Sequence, residues 1–160
     1  MFSQIRHKKS QTENNWNTPK LAIDAIVHLI PEGSTVYEPF YNSTSKSHIY
    51  LQEHGLKTVS HVGNFYNDIP PDFDIIVTNP AFSDIQRCLS RLFELAKPFV
   101  IIVPLSLIVR NYFKQYRDKV SIRIPAKRIQ FQRDGSNDRS PFDCVYITSL
   151  KLNSKIIYLE

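Results

Sequence analysis

Two short segments of the chain carry the residues best suited to chemistry. In Asn79-Pro80-Ala81-Phe82 an asparagine offers a side-chain carbonyl and an amide. The proline after it lacks an N–H and has a fixed φ, which stiffens the turn and lets backbone carbonyls face outward. An aromatic ring two residues further on provides a flat surface for stacking. Such a set can accept hydrogen bonds from a planar amine and hold it while the nitrogen lone pair stays available. The same tetrapeptide also suits an ordinary strand-to-helix turn, with Pro80 as breaker and Phe82 in the core. The second segment, Glu38-Pro39-Phe40, presents an acid beside another rigid proline.

Both turns need strands to carry them. Residues 35–40 read as a short buried strand. Residues 74–79 read as another, and their unbroken Ile75-Ile76-Val77 core suits a central parallel strand covered on both faces. Apolar spacing predicts a helix over 19–30, with Thr18 as its cap, Pro19 in its first turn and Pro31-Glu32-Gly33 as its stop. Further helices are expected over about 46–54, 84–97 and 106–116. Further strands are expected over 57–62, 99–103, 120–124 and 143–152. This alternation predicts the α/β class with a mostly parallel sheet flanked by helices. Ligands of such sheets bind beyond the carboxyl ends of the strands, where Glu38 and Asn79 stand. Residues 1–14 lack periodicity and read as a flexible arm, and 15–160 as a single domain.

With 160 residues, 42% hydrophobic and 22% charged, the composition fits one globular domain and excludes general disorder. No apolar run approaches the ~20 residues needed to cross a bilayer. The N-terminus shows no secretory pattern, so an intracellular protein without a membrane partner is expected. Cys88 and Cys144 stand far apart and the five histidines form no ligand pattern, so neither a disulfide scaffold nor a metal site is expected. Only four glycines occur, which excludes a phosphate-cradling loop and a dinucleotide fingerprint. The net charge of +5 is uneven: residues 1–80 hold six Lys/Arg against eight Asp/Glu, and residues 81–160 hold fourteen against seven. A polyanionic partner facing the C-terminal half follows from that bias. Arg123, Lys127, Arg128, Arg133 and Arg139, interleaved with Phe131 and Phe142, are the expected nucleic-acid-binding set, with cations on phosphates and rings on bases.

The run from Asp74 to Phe82 resembles the catalytic motif of S-adenosylmethionine-dependent amino-methyltransferases, (Asp/Asn/Ser)-Pro-Pro-(Tyr/Phe). Tyr37-Glu38-Pro39-Phe40-Tyr41 is similar to that family's acid-Pro-Phe cofactor motif, and Asn15-Trp16-Asn17-Thr18-Pro19 to its aromatic-x-Thr-Pro element. Lys127-Arg128-Ile129-Gln130-Phe131 and Ser140-Pro141-Phe142 look like the late hairpin of small phage and large-virus adenine methyltransferases. The resemblance covers about 15–150 in consistent order.

It implies a Rossmann-like class I methyltransferase fold, S-adenosylmethionine as cofactor and DNA as partner, with RNA as an alternative. By the same resemblance Asn79 and the Pro80 carbonyl accept from the exocyclic amine of adenine. Ala81 stands at the second proline's place, and Phe82 stacks on the flipped-out ring. Glu38, with Pro39 and Phe40, meets the cofactor's ammonium; Thr18 and Pro19 shape that end; Asn64 and Phe65 meet the adenosine. Trp16 is either a cofactor contact or a hydrophobic staple on the following helix. Three positions depart from the family pattern: Tyr41-Asn42-Ser43-Thr44-Ser45 has no glycine, Asn64 replaces an acid, and Ala81 replaces proline. The related alternatives are methylation of RNA or of protein glutamine. A non-catalytic nucleic-acid-binding protein or supporting subunit is the alternative that the glycine-less loop favours.

Overall fold

The computed structural model describes residues 16–40, 45–60, 63–133 and 135–160. The expected arm and most of the glycine-less loop lie outside the described residues. The described residues open with α1 (Lys20–Asp24), continued by a 3₁₀ turn over Val27–Leu29, and then form β1 (Thr35–Tyr37). Next come α2 (Ser47–Glu53), β2 (Lys57–Val59), β3 (Ile75–Thr78), α3 (Ile85–Leu95) and β4 (Phe99–Pro104). The C-terminal half adds β5 (Ser121–Ile124), β6 (Cys144–Thr148) and β7 (Ile156–Tyr158).

These strands form one seven-stranded sheet in the order β2-β1-β3-β4-β6-β5-β7. Pairing is parallel throughout the first four strands and again between β5 and β7; β6 alone runs against its neighbours β4 and β5. The protein thus has the expected Rossmann-like α/β fold, a mainly parallel sheet with helices on its faces.

Side chains alternate across the sheet with a period of two. Val36, Ile75, Val77, Val100, Ile102 and Tyr146 pack on one face with Ala22, Ile23 and Ile26 of the α1 segment and Leu51 of α2. Tyr37, Ile76, Phe99, Ile101, Val103, Val145 and Ile147 pack on the other with Ile85, Cys88, Leu89 and Leu92 of α3. Each such aliphatic side chain, when fully buried, contributes about 1.5–3 kcal/mol of transfer free energy. The Tyr146 hydroxyl donates to the Ala22 carbonyl at 2.7 Å, which pins α1 to the sheet. The Asp74 carboxylate accepts from the Thr35 amide at 2.7 Å and joins the starts of β3 and β1.

Three details differ from expectation. Residues 106–116 form two 3₁₀ segments, Leu105–Val109 and Asn111–Gln115, because Arg110 between them is extended. The buried anchors Leu107, Phe113 and Tyr116 recur at multiples of three, which suits three residues per turn better than 3.6. The first helix turns to 3₁₀ after Ala25. The edge strand β7 was not anticipated. Among the described residues, no helix is long and apolar enough to cross a membrane.

Candidate active site

The parallel register of β1 and β3 (Tyr37 beside Ile76) brings Glu38 and Thr78 together at the carboxyl end of the sheet. Glu38 is 4% exposed. Its Oε1 accepts from the Thr78 hydroxyl and, at 3.2 Å, from the Phe40 amide. No Lys or Arg pairs with it among the described residues. Burial pushes its carboxyl up to about 7, against the pull of the Thr78 and Phe40 donors. Thr78, itself buried, is a site residue that sequence reasoning missed; its position directly before the Asn-Pro turn was the available signal.

Asn79 follows at the tip of β3. Its Nδ2 donates to the Thr18 hydroxyl at 3.1 Å. Its Oδ1 is buried and accepts from no group among the described residues. A buried carbonyl without a donor costs about 1–3 kcal/mol, so one that lines a cleft is suited to a donor binding there. Pro80, Ala81 and Phe82 line the same cleft of about 190 Å³, together with Trp16, Asn17, Thr18, Glu38 and Phe40. Pro19 and Pro39 are half-buried next to lining residues but do not line it themselves.

Ala81 has φ −59° and ψ 126°, within the range a proline ring imposes. The turn therefore keeps its shape without the second ring. Ala81→Pro is expected to raise thermal stability by about 0.4–1 kcal/mol, by restricting the unfolded chain. A fall in melting temperature would show that the Ala81 amide or its neighbours need the freedom.

An aromatic wall closes one side. Phe142 meets Phe82 edge-on at 5.2 Å and Trp16 edge-on at 6.1 Å, and the Arg133 guanidinium lies 4.3 Å from the Trp16 ring centre. Trp16 thus sits against Phe142 at the cleft and not only against α1. Phe131 and Phe142 line the cleft as well. They arrive there because β5 ends, and the reversed β6 begins, at the same edge as β1 and β3. The connection between β5 and β6 thus overhangs the site through these two rings. Ser140 holds its two arms together, its hydroxyl accepting from the Phe131 amide at 3.2 Å and its carbonyl from Arg128 at 2.8 Å. Among the described residues its regular pairing is limited to single bridges, Arg133 with Ser136 and Gln132 with Asn17, and not a full hairpin ladder.

The five basic residues are not equivalent. Lys127 and Arg139 are exposed on this overhang. Arg128 is engaged with Asp143 at 2.6 Å and with the Ser140 carbonyl, so it clamps the loop. Arg133 covers Trp16. Arg123 corrects the expectation of a phosphate contact: it is 2% exposed and donates to the Ile122 and Ser154 carbonyls. Asn64 and Phe65 also stand away from the cleft. The Asn64 side-chain Oδ1 accepts from the Tyr66 amide at 2.9 Å in an exposed turn. Phe65 is buried and packs against the cleft residue Phe40, whose ring lies 5.1 Å away.

A Rossmann-like sheet with an uncompensated buried acid after its first strand and an unsatisfied Asn-Pro turn after its third can hold a cationic group beside an amine. No protein-family model matches the chain, and no curated protein does. Among solved structures, a dimethyladenosine transferase from Plasmodium falciparum superposes with a TM-score of 0.47 at 12% identity, over 79% of this chain and 60% of that one. Precorrin 8W decarboxylase from Methanobacterium thermoautotrophicum gives 0.45 at 13%, over 80% and 87%. A SAM-dependent methyltransferase from Thermotoga maritima, a possible histamine N-methyltransferase, gives 0.39 at 10%, over 92% and 94%. The chain thus spans 60% of the length of the Plasmodium protein. What the site can do follows from its own residues.

Proposed function

We propose that this protein binds S-adenosylmethionine in the cleft and directs its methyl group to the exocyclic amine of adenine in DNA. The observation that supports this most is the donorless Asn79 carbonyl in the same cleft as the unpaired, buried Glu38 carboxylate. The chain's residues fit that cofactor: a buried carboxylate without a cation of its own suits an ammonium. S-adenosylmethionine supplies an electrophilic methyl group on a positively charged sulfur. Asn79 Oδ1 and the Pro80 carbonyl take the amine's N–H groups, fixing the nitrogen and enriching its lone pair. Phe82 offers the ring face on which a planar heterocycle rests. Transfer of this kind depends on positioning more than on acid–base chemistry. A base reaches such a cleft only after leaving the stack. Lys127 and Arg139, exposed on the overhang, would hold the surrounding phosphates in this reading.

The decisive experiment offers a radiolabelled methyl donor with DNA, RNA and unfolded protein in parallel. Label on adenine in DNA supports the proposal. Label on RNA or on glutamine moves the substrate but keeps the site. No label on any of them, with no calorimetric binding of the cofactor at millimolar concentration, overturns it.

A further inference from the structure

We infer that the Thr18 hydroxyl is a positioning group for Asn79, holding its amide in place at the cleft. This deepens the methyl-transfer reading above and rests on it. An asparagine amide turns about its last torsion with little intrinsic preference, yet its two ends act oppositely on an amine. The carbonyl attracts the N–H groups and leaves the lone pair free; the NH₂ group would compete for that lone pair. A partner that holds one end therefore fixes what the other end offers. The Asn79 side chain is held by Thr18 Oγ1, 61 positions away in sequence and 3.1 Å away in space. With Nδ2 donating there, Oδ1 is left buried on the other side of the amide, with no donor among the described residues.

Thr18 is well mounted for this task. Pro19 follows it in an extended conformation as the cap residue of α1. Asn17 before it exchanges two backbone hydrogen bonds with Gln132, at 2.6 and 3.1 Å. The hydroxyl is thus carried between a helix start and the overhang, and a methyl on the same carbon limits its rotamers. The family resemblance gives Thr18 to the cofactor's methionine end; the hydrogen bond gives it to the amine end.

The test compares the parent with Thr18→Val and Thr18→Ser. Valine keeps the shape and removes the acceptor; serine keeps the acceptor and removes the methyl. Methyl-transfer kcat is expected to fall about ten- to a hundredfold in Thr18→Val. KM for the cofactor and the calorimetric cofactor affinity should stay near the parent's. Thr18→Ser should restore kcat to within about threefold. Combining Thr18→Val with Asn79→Ala should cost no more than Asn79→Ala alone, since both remove the same interaction. A Thr18→Val enzyme as fast as the parent overturns this inference and leaves the methyl-transfer reading standing. So does a loss carried by cofactor affinity with kcat intact, or a Thr18→Ser enzyme as slow as Thr18→Val. A parent that transfers no methyl to any substrate overturns both.

Discussion

Asn79→Ala is expected to lower methyl transfer by about 10²–10³-fold, the usual effect of removing one preorganised hydrogen-bonding group from a reacting centre. Cofactor affinity should stay near the parent's. The split between the two quantities follows from geometry. The Asn79 carbonyl is held by the stiff end of β3 and by Thr18, and it is already desolvated, so it needs no reorganisation when an amine arrives. Glu38, which is expected to hold the charged end of the cofactor, is fixed by Thr78 and Phe40 and not by Asn79. Steady-state kinetics with labelled methyl donor, set beside calorimetric affinity, measures both. A variant that still methylates at the parent rate would remove Asn79 from the reacting centre. A variant that loses cofactor affinity instead would place it among the groups that bind the methionine end.

Glu38→Gln is expected to separate stability from function. In the folded protein the Glu38 carboxyl ionises at about 7 instead of 4.5. Below about 4.5 the group is protonated in both states and costs nothing. As pH rises from there to about 7, the unfolded chain gives up its proton while the folded one keeps it, and stability falls. Above 7 the folded protein carries the full cost of a buried charge, about 3 kcal/mol at roughly 1.4 kcal/mol per pH unit. The glutamine variant should therefore be more stable than the parent at pH 8, and the gap should close as pH falls toward 4.5. Its cofactor affinity should fall about a hundredfold, through loss of one charge-assisted contact. In the parent, affinity should weaken as pH drops below 7 and the carboxyl takes up its proton. Denaturant unfolding at several pH values, with calorimetry alongside, reads all three. Equal stability at pH 8 would mean that Glu38 is solvated in solution, and unchanged cofactor affinity would mean that the ammonium binds elsewhere.

The central strands and the two turns were legible because their signals are local. Ile75-Ile76-Val77 suits a strand buried on both faces, and an acid or an asparagine followed by proline suits the end of such a strand. The edge was harder. In β7, Ile156, Ile157 and Tyr158 are three exposed residues after a polar stretch, and they form a strand only because β5 offers its open side. Arg123 was misplaced for the same reason. Counting charge gave it to the surface, but its guanidinium is taken up by the carbonyls of Ile122 and of Ser154, the latter on the approach to that unforeseen strand. Asn64 and Phe65 show a different limit. Their order in the chain matched an adenosine pocket, whereas Phe65 is consumed by an aromatic cluster with Tyr37, Phe40 and Tyr66. Thr78 acts through a contact with Glu38, 40 positions away in sequence, and its place before the Asn-Pro turn is the one local sign of it.

The reversed direction of β6 reaches beyond packing. Because β5 leaves the sheet, and β6 enters it, beside the cleft, the described residues between them have both ends fixed by the sheet while their interior forms only single bridges. Ile129 and Phe131 belong to the core and have to stay. Under the proposed function, exchanging exposed residues such as Lys127 and Arg139 is expected to alter which polymer is gripped while every strand pairing remains.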